Sequence, residues 1–348
     1  MDIGIIYLAL GLIFALYIAW NMGANDASNP TDTAVGAGAI GIKKAILLFA
    51  LFAAIGALIQ GHMVMVTIGK GVVPEITALG ALIASLAAGL WITLATWKGI
   101  PISTTHSITG AVIGLGIADF IKKGVINISW SVVLKIILSW IFSPLVCISF
   151  GFGFYLLLKR FATVLVFKGM NVDKIFKYIL IINLMFSAYS FGANDVGNAT
   201  GVYVTVASRV FKMPDIHTMI LLSALGAFGI ALGGLMWGYR VLKTVAYGIT
   251  RLDYVSASAA ELSNALTVWL FTTIPKVLVG YGMPISTTYA SISSIVGAGI
   301  AKSGIKGVDW KLVGFIIASW VLTLPVTICI SAGLYISITS ILPPQFIT

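Results

Sequence analysis

The chain has 348 residues, of which 59% are hydrophobic and only 9% are charged, and its mean hydropathy is +1.06. A soluble domain carries about 25% charged residues, and a soluble fold of this length could not cover so much apolar surface. The apolar runs are continuous rather than alternating, which favours spanning helices over a β-barrel. We therefore expect an all-α polytopic protein that lies as a multi-pass protein in the cell membrane.

The formal net charge is +10, and the basic residues fall between the apolar runs, as at Lys43–Lys44, Lys122–Lys123 and Lys159–Arg160. This distribution is typical of loops and of residues that contact lipid headgroups. The positive charge therefore predicts contact with membrane lipid, and no nucleic acid is implied. Cys147 and Cys329 lie inside apolar runs, which favours buried thiols over a disulfide.

In chain order, the apolar segments are 3–20, 33–41, 45–68, 76–97, 107–121 and 128–158, then 178–191, 196–208, 216–238, 254–274, 288–301 and 311–342. Some are shorter than the roughly 20 residues that cross a bilayer, and each of these follows a polar motif. The short segments are 33–41, 107–121, 196–208 and 288–301. They are predicted to be half-helices or re-entrant hairpin arms, within about 10–12 transmembrane segments.

Two motifs occur twice, and in the same order. Gly-Ala-Asn-Asp occupies 23–26 and 192–195, and Pro-Ile-Ser-Thr-Thr occupies 101–105 and 284–288. The Trp130, Ser139–Trp140 and Pro144 pattern also recurs, as Trp310, Ser319–Trp320 and Pro325. We therefore predict a first transmembrane repeat at 1–160, a basic connector at 161–177 and a second transmembrane repeat at 178–348.

Internal symmetry with broken segments at matching positions is typical of secondary transporters built from inverted-topology repeats. The residues alone leave a parallel repeat open, since basic residues flank nearly every segment. Lys43 and Arg209 hold equivalent places in the two halves. An inverted repeat would place them on opposite sides of the membrane.

The Asn-Asp motif predicts a cation site. Asp is costly inside a membrane and Asn needs partners there, while the adjacent Gly allows a helix break. Carboxylate, amide and freed carbonyl oxygens make a hard ligand set, and one carboxylate per motif favours a monovalent ion. The predicted ligands are Asn25, Asp26, Asn194 and Asp195, and Asn29 and Asn198 extend the polar face. The alternative is that the two Asp residues only cap half-helices.

The Ser-Thr motif predicts an anion site. Proline suits the first turn of a helix, and Ser and Thr cap it. Two helix N-termini that meet would hold an oxyanion by neutral donors. The predicted ligands are Ser103, Thr104, Thr105, Ser286, Thr287 and Thr288. The alternatives are ordinary capping and close helix packing.

Other polar residues interrupt the apolar runs. Glu261 and Gln60 are possible cavity residues, although Glu261 could also be a paired or snorkelling carboxylate. Asp32 receives less weight because its counterpart is Gly201. No histidine pair has metal-ligand spacing, and no nucleophile elbow or Walker loop occurs, so an enzyme is not expected.

At its two paired motifs, the sequence resembles the inorganic phosphate transporter (PiT) family. That family carries a duplicated Gly-Ala-Asn-Asp-x-x-Asn signature, matched here at 23–29 and 192–198, and Pro-Ile-Ser-Thr-Thr segments, matched at 101–105 and 284–288. The resemblance covers essentially the whole chain. It implies an inverted-repeat fold with re-entrant hairpins, commonly a homodimer. It also implies uptake of inorganic phosphate coupled to a cation, which is sodium in many members and protons or metal–phosphate complexes in others.

The chain departs from that family in three respects, the first of which is that extra residues, around Pro275 to Met283, precede the second Ser-Thr segment. Related proteins often carry Glu early in the second span, where this chain has Ala53, and the acidic counterpart in the second half is predicted to be Glu261. The large cytoplasmic loop of animal members is also absent.

The expected function is sodium-coupled phosphate symport by alternating access, with sodium as the coupling ion and no organic cofactor. Phosphate would lie between Ser103–Thr105 and Ser286–Thr288, beside sodium held by the Asn-Asp residues. Proton coupling and another tetrahedral oxyanion such as sulfate stay open, and an anion channel or a membrane enzyme acting on phosphorylated substrates is a weaker alternative.

Overall fold

The computed structural model describes residues 3–67, 72–73, 76–124, 127–204 and 216–343, and it is all-helical across these ranges. In chain order the helices are α1 (Ile3–Asp26), α2 (Asp32–Gly36), α3 (Ile42–Gln60), α4 (His62–Val66), α5 (Ala78–Trp97), α6 (Thr104–Lys123), α7 (Trp130–Phe167), α8 (Val172–Thr200), α9 (Ile216–Trp237), α10 (Tyr239–Gly248), α11 (Tyr254–Val279), α12 (Thr287–Ser303) and α13 (Trp310–Ile341). Arg209, the expected counterpart of Lys43, lies outside the described residues.

Eight of the described helices are long and apolar enough to cross a membrane. They are α3, α5, α6, α7, α8, α9, α11 and α13. The prediction of an all-α polytopic membrane protein is therefore confirmed. Polar caps begin several of these helices between the apolar runs, as at Asn171 before α8 and Asp253 before α11, where the side chain accepts a backbone N–H of the first turn.

The lengths of the predicted short segments need correction. The run 107–121 was expected to be a half-helix or a re-entrant hairpin arm, and the helix that contains it, α6, has 20 residues. Its polar start at Thr104–His106 is capped by Ser103, and its end includes Lys122–Lys123, so the helix extends beyond the apolar run on both sides. By contrast, α12 has 17 residues and α2 has only five.

The second Asn-Asp motif is not the helix break that the sequence predicted. Helix α8 runs without interruption from Val172 to Thr200, whereas α1 ends at Asp26 and is followed by turns. The first glycine of each motif instead allows close contact between two helices. A Cβ atom on Gly192 would lie 1.9 Å from the Ala53 carbonyl oxygen, and one on Gly23 would lie 1.9 Å from that of Ile230. Glycine is therefore required here because two helices cross in backbone contact.

The two halves exchange packing partners in a symmetric way. Helix α1 packs against α9 of the second half, and its counterpart α8 packs against α3 of the first. Likewise α6 packs against α13, and α12 packs against α7. Neither half therefore buries its own apolar faces alone, and the core forms between them. Within the predicted connector 161–177, only residues 168–171 lie between the ends of α7 and α8.

The same symmetry corrects one detail of the family comparison. Ala53 and Ile230 are equivalent, because each faces the first glycine of an Asn-Asp motif at 1.9 Å. Glu261 lies in α11, which is the counterpart of α5 and not of α3. It is therefore not the acidic partner of position 53, as the sequence suggested.

Candidate functional site

Two helical hairpins, α5–α6 and α11–α12, present the Ser-Thr motifs at their tips. Ser103 Oγ accepts a hydrogen bond from the His106 backbone N–H, and Ser286 Oγ accepts one from Tyr289, both at 3.2 Å. The two serines are thus N-caps, as the motif predicted. The remaining N–H groups of each first turn have no partner within their helix, so each tip offers backbone donors and a positive dipole end.

The two tips bond directly to each other. Thr105 Oγ1 donates to the Ile285 carbonyl at 3.1 Å, and Thr288 Oγ1 donates to the Ile102 carbonyl at 3.0 Å. Each threonine hydroxyl therefore reaches the residue that follows the proline of the opposite motif. These reciprocal bonds bring the two N-termini face to face, as an oxyanion site between them requires.

Asn25 attaches the first tip to α1. Its Nδ2 donates to Thr96 Oγ1 at 2.9 Å and to the Ile100 carbonyl at 3.1 Å, and its Oδ1 accepts from the Ile102 backbone N–H at 3.2 Å. The amide therefore binds both sides of the loop between α5 and α6. Both the nitrogen and the oxygen of the Asn25 amide thus already have protein partners.

Asn194 repeats the arrangement at the second tip. Its Nδ2 donates to Thr272 Oγ1 at 2.8 Å and to the Met283 carbonyl at 3.2 Å, and its Oδ1 accepts from the Ile285 backbone N–H at 3.3 Å. The match with Asn25 shows that the extra residues before the second Ser-Thr motif do not disturb the tip.

The two aspartates lie beside these tips, and both are fully buried. Asp26 Oδ2 accepts from Thr104 Oγ1 at 2.6 Å, and its Oδ1 lies 3.5 Å from Thr288 Oγ1. Asp195 Oδ1 accepts from Asn198 Nδ2 at 2.9 Å, whereas its Oδ2 has no hydrogen-bond partner in the described part of the chain. Asp195 therefore has an open oxygen in the site, and Asp26 is more fully bonded.

Asn29 and Asn198 each cross to the tip of the opposite half. Asn29 Nδ2 donates to Thr287 and Thr288, each at 3.2 Å, and Asn198 Nδ2 donates to Thr105 at 2.9 Å. Within the ranges that the structure describes, Asn198 Oδ1 has no partner and so is another open acceptor. The two asparagines therefore link the cation motif of one repeat to the anion motif of the other.

The tips are backed by a stack of four rings. His106 stacks on Trp140 with ring centroids 3.5 Å apart, Tyr289 stacks on Trp320 at 3.8 Å, and His106 and Tyr289 lie 4.8 Å apart. His106 and Tyr289 follow the two Ser-Thr motifs, and the tryptophans come from α7 and α13. An imidazole and a phenol therefore serve as equivalent packing surfaces behind the two tips.

The site is closed, and its two aspartates have no basic partner among the residues that the structure describes. All twelve motif side chains discussed above are at most 3% exposed. Among the described residues, the ion pairs are Lys123–Asp119 and Lys302–Asp253, so neither aspartate of the site has a basic partner there. Buried charge without a partner is costly. The arrangement can thus hold a cation at the carboxylates and an oxyanion at the helix N-termini.

The remaining predicted residues lie elsewhere. Gln60 is at the end of α3 and is half-buried; among the described residues its Oε1 has no partner, and no hydrogen bond joins it to the tips. Glu261 lies in a second polar cluster with Thr33 and Asp32. Sequence reasoning gave Asp32 little weight and missed Thr96 and Thr272, which lack a motif of their own.

Known proteins match the chain over most of its length. A profile described as "Phosphate transporter family" matches residues 22–331. A protein of Pyrococcus abyssi named "Putative phosphate permease" is 31% identical, over 94% of this chain and 97% of its own. The chloroplastic inorganic phosphate transporter 2-1 of Arabidopsis thaliana is 28% identical, over 90% of this chain and 69% of its own.

A solved structure entitled "The sodium-dependent phosphate transporter" has the same fold. It superposes with a TM-score of 0.83 at 28% identity and covers 98% of this chain and 100% of its own. The family profile alone spans well over half of the sequence, and its members are transporters rather than enzymes. The resemblance indicated by the two motifs is confirmed, and the chain belongs to the phosphate transporter family.

Proposed function

We propose that this protein is a sodium-coupled symporter of inorganic phosphate that works by alternating access. The observation that carries the proposal is the contact between Asp26 and the two Ser-Thr tips. Its carboxylate bonds to Thr104 and lies near Thr288, so it faces both helix N-termini at once. Cation ligands and anion donors therefore share one buried site.

Charge explains why the two ions would move together. The site already contains the Asp26 and Asp195 carboxyl groups, and both are fully buried. Phosphate adds further negative charge, and burying it there alone would cost many kcal/mol. A cation at the carboxylates removes that penalty. Neither ion is then readily enclosed without the other, which is the physical basis of coupling.

We revise the predicted roles of the site residues on the basis of their hydrogen bonds. We assign phosphate binding to Ser103–Thr105 and Ser286–Thr288, and sodium binding to Asp26 and Asp195. Asn25 and Asn194, predicted as sodium ligands, bond mainly to the tips, so we assign them to positioning. At the second motif α8 is continuous, so its backbone carbonyls are held in helix hydrogen bonds. Side chains must therefore supply more of the sodium ligands than they would beside a broken helix, whose carbonyls are free.

Alternating access requires the contact between the tips to open. The reciprocal bonds from Thr105 and Thr288 are few, so separating the hairpins breaks a small number of hydrogen bonds. The neighbouring solved structure is entitled sodium-dependent, which supports sodium over protons as the coupling ion. The homodimer expected from the family stays a prediction.

Uptake into proteoliposomes tests the proposal. ³²P-phosphate uptake should be saturable, should be driven by an inward sodium gradient at constant pH and should not be driven by a potassium gradient. Uptake driven only by a proton gradient would overturn sodium coupling. Equal competition by sulfate would overturn phosphate as the specific substrate.

A further inference from the structure

An apolar cavity lies directly behind the first Ser-Thr tip and has no part in the function described so far. Its volume is about 280 Å³, and it lies between α5, the loop that leads to the tip, and α13. The loop contributes Ile102, which is fully buried and takes part in closing the tips. The Ile102 carbonyl accepts from Thr288, and its backbone N–H donates to Asn25. An occupant of the cavity would therefore touch the base of the tip itself.

The cavity opens towards the lipid. Apart from Lys98 and Ser319, its lining side chains are hydrophobic, and the Ser319 hydroxyl already donates to the carbonyl of Ile316 at 2.7 Å. Three of the lining residues face outward, namely Leu94, Phe315 and Leu322, with exposed fractions of 44%, 52% and 52%. They belong to α5 and α13, which are both long and apolar enough to cross a membrane. The cavity therefore suits a hydrocarbon chain that enters from the bilayer.

The equivalent place beside the second tip is filled by side chains. Matching hydrogen bonds align the two halves here, and they are those of Ser319 and Ser139 and those of Thr96 and Thr272. Counting from these pairs, Ala95 and Ala318 correspond to Phe271 and Leu138. Phe271 packs against the buried cluster that contains Ile285, the residue before the second tip. The first half therefore has two alanines and a cavity where the second half has a phenyl ring and a leucine.

Positive charge without an acidic partner lies at this cavity. Lys98 is exposed and lines it. Arg240 lies against both neighbours of Lys98, because its Nη1 donates to the Trp97 carbonyl at 3.4 Å and a Cβ atom on Gly99 would lie 3.3 Å from its own carbonyl oxygen. Among the described residues, Arg240 Nε has no hydrogen-bond partner, and the ion pairs include neither Lys98 nor Arg240. Both side chains are therefore available to an anionic group.

The surrounding rings place this charge at the headgroup level of the bilayer. The Arg240 guanidinium lies 4.6 Å from the ring centroid of Trp237 and 5.8 Å from that of Tyr239, and Trp97 is 60% exposed. Tryptophan and tyrosine are enriched at membrane–water interfaces. We propose that the cavity binds an anionic phospholipid, with an acyl chain against Ile102 and the phosphate headgroup at Lys98 and Arg240. Basic pockets between transmembrane helices suit such headgroups, and an apolar cavity beneath them suits a lipid rather than a soluble anion.

Photo-crosslinking of the full-length protein in phosphatidylcholine nanodiscs tests the site. The probe is phosphatidylglycerol with a diazirine in one acyl chain, compared with phosphatidylcholine that carries the same chain, and labels are mapped by mass spectrometry. Phosphatidylglycerol should label 91–102 and 315–322 more strongly than phosphatidylcholine does. Lys98→Gln should lower this labelling about fivefold, whereas Lys174→Gln, at an exposed lysine that does not line the cavity, should not. Ala318→Leu, which introduces the residue of the symmetric position, and the larger Ala318→Phe should lower labelling by both lipids.

Equal labelling by the two lipids, or an unchanged level in Lys98→Gln, would overturn the anionic phospholipid as the occupant. Unchanged labelling in both Ala318 variants would place the lipid on the outer surface and overturn the cavity; Ala318 is exposed, so these variants should still fold. Millimolar inorganic phosphate, at an ionic strength matched with chloride, should not reduce the labelling, and a reduction would show that the two cations bind free phosphate instead. The assay needs no transport, so a failure of sodium-driven uptake would leave this site standing.

Discussion

Asp195→Asn is expected to affect sodium more than Asp26→Asn does, although the two residues are equivalent by sequence. Asp195 keeps Oδ2 free of any hydrogen bond, whereas Asp26 bonds to Thr104 at 2.6 Å and lies 3.5 Å from Thr288. The open oxygen can contact an ion without first losing a partner. Replacing Asp195 therefore removes a ligand charge, and replacing Asp26 mainly disturbs the contact with the two tips.

The magnitude follows from Coulomb's law. Two unit charges about 4 Å apart, at an effective dielectric constant of about 20, interact by about 4 kcal/mol. The asparagine oxygen still coordinates the ion, so about 2 kcal/mol is a cautious lower figure. The sodium concentration for half-maximal uptake should then rise roughly thirtyfold or more in Asp195→Asn. For Asp26→Asn, the larger change should be in the phosphate concentration for half-maximal uptake.

The assay is initial ³²P-phosphate uptake in proteoliposomes, with sodium varied at saturating phosphate and phosphate varied at saturating sodium. Asp173→Asn, on the exposed first turn of the same helix α8, is the matched control and should behave as the wild type. An unchanged sodium dependence in Asp195→Asn, at normal levels of protein in the membrane, would refute the reasoning. So would equal shifts of both parameters in the two variants.

Three further outcomes are expected. Thr288→Val should weaken phosphate binding roughly ten- to a hundredfold, because the hydroxyl that donates to the Ile102 carbonyl here would, on the proposed function, turn to the phosphate as a donor worth about 1.5–3 kcal/mol; an unchanged affinity in equilibrium binding would move the site. Gly192→Ala should lower the thermal midpoint, since its Cβ would lie 1.9 Å from a carbonyl oxygen, while Gly153→Ala, with nothing within 4 Å, should not. Lys43→Cys and His217→Cys, at the exposed starts of α3 and α9, should label from opposite sides of the membrane in a protein without its native cysteines, and same-side labelling would show a parallel repeat.

The repeated motifs predicted the fold class and the capped helix starts at the two tips because these features depend on local chemistry. A serine after proline caps a helix wherever the chain runs, and Ser103 and Ser286 do so with the same geometry. A duplicated motif also predicts duplicated surroundings. The matching bonds of Asn25 and Asn194 are the result.

Features that depend on contacts between the halves could not be predicted in this way. The Gly192 motif was taken for a helix break because glycine, asparagine and aspartate all disfavour a helix interior. In the folded chain the glycine contacts the Ala53 backbone and the polar side chains find partners from the other repeat, so α8 stays helical. Tertiary packing decided the outcome over local propensity.

Asp32 shows that reasoning from repeats undervalues a residue that occurs in one half only. Symmetry gives weight to residues that recur, so a residue whose counterpart is glycine receives little. Yet the bonds that close the tips come in matched pairs, Thr105 with Ile285 and Thr288 with Ile102, so they favour neither side of the membrane. A ligand changes the balance between two conformations only by its different affinity for each. In a protein whose tip contacts are symmetric, a cluster such as Asp32 and Glu261 that exists in one half alone is where such a difference can arise.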